Sequence, residues 1–243
     1  MKRRLYPGRL AYVFLGLAAL TLLTGLALGN REDQRNRIPL PLRMLSSLLV
    51  WAAALLFWQC APAGESRKQA ALAAAGMGFG SLGDFVMARV IPLPEHVIFG
   101  MLAFGAGHGC YIGATAGKLA ERGQPVLRGM APGALVSSGI AGVMGWRLMA
   151  YNPAKPVALN YAALAYALLL ASMAGLGVAL ATRDPRYNTL ALGGALFFLS
   201  DLILAGELFR DLFFPHIGDV IWLSYIAGQG LIVEALGAAY AQG

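Results

Sequence analysis

Two aspartates, Asp84 and Asp201, close runs of the chain that a water-soluble protein would not build, AAAGMGFGSLGD and ALGGALFFLSD. Both runs are apolar enough to lie inside a bilayer. A carboxylate there costs about 3 kcal/mol even by the lower estimates. Such a group is kept when it is paired, lines a wet cavity or holds a proton. Buried acids of this kind are the raw material of proton chemistry. The function of the chain is therefore expected between these two residues.

Other polar side chains converge on the same depth. Gly76, Gly80 and Asp84 share one helical face, with Ser81 and Gly83 beside them, and glycines at that spacing let a neighbouring backbone approach closely. Gly100, Phe104, His108 and Tyr111 form a second stripe. Gly194, Phe197 and Asp201 form a third, with Ser200 adjacent, and Tyr225 and Gln229 lie one turn apart on a fourth. At about 1.5 Å of rise per residue, Ser81, His108, Asp201 and Gln229 fall near the middle of their spans. Asp84 and Tyr225 fall somewhat toward the side away from the N-terminus. The bland reading of each polar residue is structural. Ser81 and Ser200 can bond their own helix backbone. Gln229 and His108 can join helices, Tyr111 and Tyr225 can sit in an interfacial belt, and Phe104 and Phe197 can pack a core. The two aspartates have no comparable excuse. Glu207 and Glu234 lie nearer span ends, within reach of interfacial water.

The elements that must carry these residues are membrane helices. Of the 243 residues, 58% are hydrophobic and 13% charged, at a mean hydropathy of +0.63. A soluble domain carries about 25% charged residues. The composition implies an all-α, polytopic membrane bundle forming one transmembrane domain over residues 1–243. Eight spans are predicted: 10–29, 39–61, 69–90, 96–118, 129–150, 157–182, 188–209 and 218–240. The first is longer than the apolar core of a signal peptide, about 7–15 residues, and is expected to be retained. The short links force neighbouring spans to run antiparallel. Cys60 and Cys110 both fall within spans and read as buried structural thiols.

The net charge of +7 sits in the links, with no basic-aromatic platform for nucleic acid. With the N-terminus inside, the inner segments hold 11 Lys and Arg, from Lys2, Arg3, Arg4 and Arg9 through Arg183 and Arg186, and the outer segments hold 8. That asymmetry favours both termini in the cytoplasm, in a bacterial-type inner membrane. Oligomeric state is not legible.

The segment Ser81-Leu82-Gly83-Asp84, followed by Phe99-Gly100-x3-Phe104-x3-His108-x2-Tyr111, resembles the first half of the lysoplasmalogenase (YhhN-like) family. Gly194-x2-Phe197-Phe198-Leu199-Ser200-Asp201, then Phe209 and Ser224-Tyr225-x3-Gln229-x-Leu231-Ile232, resembles its second half. Where the family commonly has Lys-Pro entering the second span, this chain has Leu40-Pro41, and Arg43 is the cation one turn on. The resemblance implies a membrane hydrolase that cleaves the vinyl ether of lysoplasmalogens. The products are a fatty aldehyde and glycerophosphoethanolamine or glycerophosphocholine. On that chemistry Asp84 and Asp201 form an acid–base pair, and the glycine-lined face beside Asp84, which favours a tight, dry site, points to Asp84 as the acid. Ser81, His108, Tyr111, Ser200, Tyr225, Gln229 and Arg43 would bind and place substrate and water, and Arg89 and Arg147 are further candidates for the phosphate. No cofactor or metal is expected, and the partners are a lysophospholipid and the bilayer.

Three rivals remain at this level. A metal-dependent hydrolase would need about three protein ligands, for which His108, Asp84 and Asp201 are the available set. A transporter or lipid-binding protein could use the same acids to carry protons or a cation, although no internal repeat is visible. A hydrolase of another lysolipid is the third.

Overall fold

A computed structural model describes residues 7–238 apart from 124, 125, 127 and 130. Lys2, Arg3 and Arg4, which enter the orientation argument, lie outside the described residues, as does the end of the eighth predicted span. The described residues form helices and no strand: α1 (Pro7–Leu28), α2 (Leu40–Cys60), α3 (Glu65–Met87), α4 (His96–Glu121), α5 (Ala131–Gly145), α6 (Val157–Ala181), α7 (Asn188–Arg210) and α8 (Ile217–Ala238). Prolines mark the starts, as a residue with fixed φ and no N–H should. Pro39 precedes α2, which carries Pro41 in its first turn, and Pro156 precedes α6.

Among the described residues, seven helices, all but α5, are long and apolar enough to cross a membrane, so the expected count of eight is one too high. The physical reason lies in the fifth predicted span, 129–150. Regular α-helix there lasts only 15 residues, and at Trp146 the chain winds into a π-helical turn, Trp146–Ala150. A bilayer core asks for about 20 residues of helix.

Two glycine contacts draw the helices into a bundle. A Cβ on Gly107 of α4 would lie 2.8 Å from the Gly76 carbonyl of α3. A Cβ on Gly193 of α7 would lie 2.8 Å from the Gly228 carbonyl of α8. With no apolar-effect drive between helices in lipid, such close backbone packing is what holds them. The close approach expected from the glycine face of the third span is thus present. α8 also packs on α2 and α3, while α6 packs on α4 and α7, so these six helices surround a common interior.

The α1–α2 link closes one end of the bundle. Asp33 accepts the backbone N–H groups of Asn36 and Arg35, 2.9 and 2.8 Å away, and these donors hold its carboxyl below the usual carboxylate range. Asp219, in the first turn of α8, accepts the N–H groups of Arg37 (2.9 Å) and Ile38 (3.0 Å). The link is thereby pinned over α8, beside the interior.

At the opposite end, Asp184 between α6 and α7 accepts from Arg122 at the end of α4 (2.9 Å) and from Arg186 (2.8 Å). Arg186 first, then Arg122, hold its carboxyl well below the usual range.

Candidate active site

Asp84 lies three residues before the end of α3 and is buried. Its Oδ2 accepts the Ser47 hydroxyl of α2 at 2.5 Å and the Tyr225 hydroxyl of α8 at 3.0 Å. Behind each donor stands another. Ser47 is 2.9 Å from Ser81, and since Ser47 spends its proton on Asp84, Ser81 donates. Tyr225 accepts Gln229 Nε2 at 3.3 Å, and Gln229 Oε1 accepts the Tyr111 hydroxyl at 2.6 Å. Two chains of donors therefore end on one carboxylate oxygen. A proton carried by Asp84 belongs on Oδ1.

A Cβ on Gly80 would stand 2.7 Å from Gln229 Nε2, so this position must be bare for α8 to bring Gln229 and Tyr225 in. The sequence stripes of α3, α4 and α8 thus meet at Asp84.

Asp201 on α7 is half-buried and differently held. Tyr166 of α6 donates its hydroxyl to Oδ2 at 2.5 Å. Ser200 bonds mainly its own backbone, the Phe197 carbonyl at 2.7 Å, and reaches Asp201 Oδ1 at 3.3 Å. His108 Nε2 lies 3.2 Å from the Tyr166 hydroxyl. That hydroxyl gives its proton to Asp201, so Nε2 must be the protonated nitrogen. His108 Nδ1 is then a buried lone pair with no hydrogen-bond partner. The His108 ring packs on Phe197 with centroids 4.7 Å apart, and Phe197 packs on Tyr225 at 5.2 Å. Aromatic rings fill the space between the two acid networks.

The acids do not bond to each other, but they share a cavity of about 390 Å³. Of the expected site residues, Asp84, Asp201, Ser200, Tyr225 and Arg43 line it. Ser81, His108, Tyr111 and Gln229 stand behind the wall as hydrogen-bond support. The mouth lies at the end closed by the α1–α2 link and is basic, with Arg35, Arg43, Arg89 and His96. Arg35 is bound to Glu207, which raises its guanidinium above the usual value. Arg43 donates to Asn36 at 3.0 Å and lies 5.9 Å from the Trp222 ring centroid, with its Nε buried and unbonded. Arg147 is elsewhere, 4.7 Å over the Tyr151 ring. Glu234 is also away from the cavity, accepting Thr189 at 3.0 Å. Cys60 and Cys110 are free thiols.

A second, apolar pocket of about 70 Å³ adjoins the cavity. Met87, Phe104, Asp201, Leu204 and Leu208 line both. Asp84 lines the polar cavity and not this pocket, so Asp201 is the acid at the boundary. Among the described residues, no three His, Cys, Asp or Glu side chains gather closely enough to hold a metal, and His108, Asp84 and Asp201 do not form such a group.

A family model described as the YhhN family matches residues 40–236. The chain belongs to the YhhN family. This is the family of lysoplasmalogenases. The matched segment of this YhhN protein runs from α2 almost to the end of α8 and holds both acids and every residue bonded to them. No curated protein and no solved structure matches the chain.

Ser47 and Tyr166, the direct donors to the two acids, were not expected from sequence. Ser47 sits beside Ser46 in an apolar helix, and Tyr166 in a run of Ala and Leu. The signal that could have found them is composition: a hydroxyl inside a span needs a partner, and the buried acids needed donors.

Proposed function

We propose that this YhhN protein hydrolyses the vinyl ether bond of single-chain lysoplasmalogens, with Asp84 and Asp201 as an acid–base pair. The observation that carries this reading is the cavity. It has two carboxyl groups in different settings, a basic mouth, and an apolar pocket beginning at Asp201. A lysoplasmalogen has the same order of parts: an anionic head group, a glycerol, a vinyl ether and one hydrocarbon chain. Arg43 is suited to the phosphate, as a guanidinium that lines the cavity at its basic mouth.

Vinyl ether hydrolysis starts with a proton delivered to the β-carbon of the O–CH=CH unit. Asp84 gives it from Oδ1, and an oxocarbenium ion forms. The Asp201 carboxylate stabilises that cation and takes a proton from the water that adds to the oxygen-bearing carbon. The hemiacetal then collapses. Its hydroxyl proton returns to Asp84, Asp201 protonates the departing glycerol oxygen, and both acids are reset. Two carboxyl groups in unlike environments perform a comparable division of labour in glycosidases. Tyr111, Gln229, Tyr225, Ser81 and Ser47 fix one acid, and His108, Tyr166 and Ser200 fix the other.

The excess of Lys and Arg in the N-terminal-side links supports a cytoplasmic N-terminus in a bacterial-type inner membrane. The cavity mouth then faces the outer leaflet.

The test is aldehyde release from a lysoplasmalogen by purified protein, read by mass spectrometry. Asp84→Asn and Asp201→Asn are each expected to lower turnover by about 10²–10⁴-fold, the usual worth of a positioned acid or base. Full activity in either variant would overturn the pair. Turnover in detergent, with no second compartment, would separate hydrolysis from transport.

A further inference from the structure

We propose that the hydrocarbon chain of the substrate reaches Asp201 laterally, through a portal between α4 and α6. The inference rests on the lysolipid reading above and specifies the route by which that lipid binds. A groove of about 420 Å³ runs between the two helices. It is apolar and open to the lipid face: Leu102 on its wall is 64% exposed. Met101 and Tyr166 line this groove and also line the apolar pocket that ends at Asp201. Groove and pocket therefore share a wall of two side chains. Methionine has three rotatable bonds and adapts its shape cheaply, so Met101 can turn aside without backbone movement.

The packing of α4 separates a sealed seam from an open one. Toward α3 the helix is closed, with Gly107 against the Gly76 carbonyl. Toward α6 the packing is looser at Gly105. A Cβ on Gly105 would meet one atom, Leu169 Cδ2, at an ordinary 3.6 Å. Gly105 is thus not a close-packing glycine, and its missing side chain leaves room in the groove. The occupant is identified by where the groove leads. Its inner end is a carboxylate at the boundary between an apolar pocket and a polar cavity. A protein partner has no use for that end, whereas one hydrocarbon chain bearing a polar head at its α-carbon fits both sides of the boundary.

The experiment uses the full chain in detergent with a saturated alkyl-ether lysophosphoethanolamine as probe, which has the chain and head group but no vinyl ether. Gly105→Phe fills the groove. Gly109→Phe adds the same bulk one turn away, outside the groove, where a Cβ meets nothing within 4 Å. Ala162→Phe fills the groove from α6. Gly105→Phe and Ala162→Phe are expected to weaken probe binding by on the order of tenfold, the worth of about two displaced methylenes. Gly109→Phe is expected to bind like wild type. The two groove variants should also raise KM for a long-chain lysoplasmalogen while sparing kcat on a short-chain analogue. Equal probe binding by Gly105→Phe and wild type, or equal loss in Gly105→Phe and Gly109→Phe, would overturn the portal. Aldehyde release that ignores Gly105→Phe would overturn the portal and leave the hydrolase reading standing. Groove-dependent probe binding without aldehyde release from any lysoplasmalogen would do the reverse.

Discussion

Asp84 and Asp201 differ in what holds them, and this difference makes two roles available. Asp84, on α3, receives two hydroxyl donors on a single oxygen and lines only the polar cavity, while Asp201 receives Tyr166 and stands at the junction of both cavities. Tyr166 is therefore expected to act through Asp201. Tyr166→Phe keeps the ring that lines the apolar pocket and removes only the hydroxyl. A hydrogen bond to a charged group is worth about 1.5–3 kcal/mol, so kcat should fall by about 10–100-fold with KM little changed. Steady-state kinetics would show this split, and a rise in KM at full kcat would mean that the hydroxyl serves substrate passage instead. At this scale the sequence was informative where spacing repeated. Asp84, His108, Tyr111, Tyr225 and Gln229 lie on stripes, with Ser81 beside one of them, and those stripes meet. Ser47 and Tyr166 lay on none, because a lone hydroxyl in a hydrophobic helix has the same pattern whether it donates to a carboxylate or to its own backbone.

Helices, not loops, place these groups, and two glycine contacts set the helix spacing. Gly107→Val would drive a branched side chain into the Gly76 carbonyl and push α4 off α3, which carry His108, Tyr111 and Asp84. Overpacking of this kind costs about 1–3 kcal/mol. The expected result is a lower melting temperature together with lost activity, whereas Gly105→Ala, with its ordinary 3.6 Å contact, should melt like wild type. Thermal scanning in detergent would compare the two. The links matter through ion pairs that pattern reading does not reveal. Asp184 joins the end of α4 to the start of α7 through Arg122, with Arg186 alongside. Its carboxyl is held below the usual range, first by Arg186 and then by Arg122, so the unfolded chain binds the proton more readily. The stabilisation is complete above the ordinary aspartate value of about 4 and is lost as pH falls through the depressed folded value. Asp184→Asn should accordingly lower the melting temperature at neutral pH, and the gap from wild type should close in strong acid. An unchanged gap down to strong acid would show that the carboxylate charge is not what matters there. Element boundaries were the least legible feature. The fifth span read as one apolar run with a single Arg147 near its end, but hydropathy does not sense that its helix changes winding at Trp146.

Across the whole molecule, the polar and apolar spaces are segregated, in the same order as the parts of the proposed single-chain lipid. The basic mouth opens at the end where the α1–α2 link folds over α8, the cavity runs inward past Asp84, and an apolar pocket begins at Asp201 and shares a wall with the groove between α4 and α6. An all-helical membrane bundle could be read from composition, with one span too many, but this division of the interior could not, because it depends on which side chains line two adjoining voids. The division has a consequence for substrate choice. A plasmalogen with a second chain on the neighbouring glycerol carbon has one chain for the apolar pocket and none of its remaining surface suited to a further apolar route. The second chain would have to lie in the polar cavity against Arg43 and Asp84, giving up about 0.8 kcal/mol for each methylene left unburied in apolar surroundings and stripping water from charged groups. Even a few methylenes amount to a large discrimination, so the two-chain lipid should release aldehyde at least about 100-fold more slowly than its single-chain counterpart at equal concentration. Competition between the two, with aldehydes of different chain length resolved by mass, measures the ratio in a single sample. Equal rates would mean that the cavity widens to admit both chains, and the bundle would then have to separate along a seam other than the sealed one between α3 and α4.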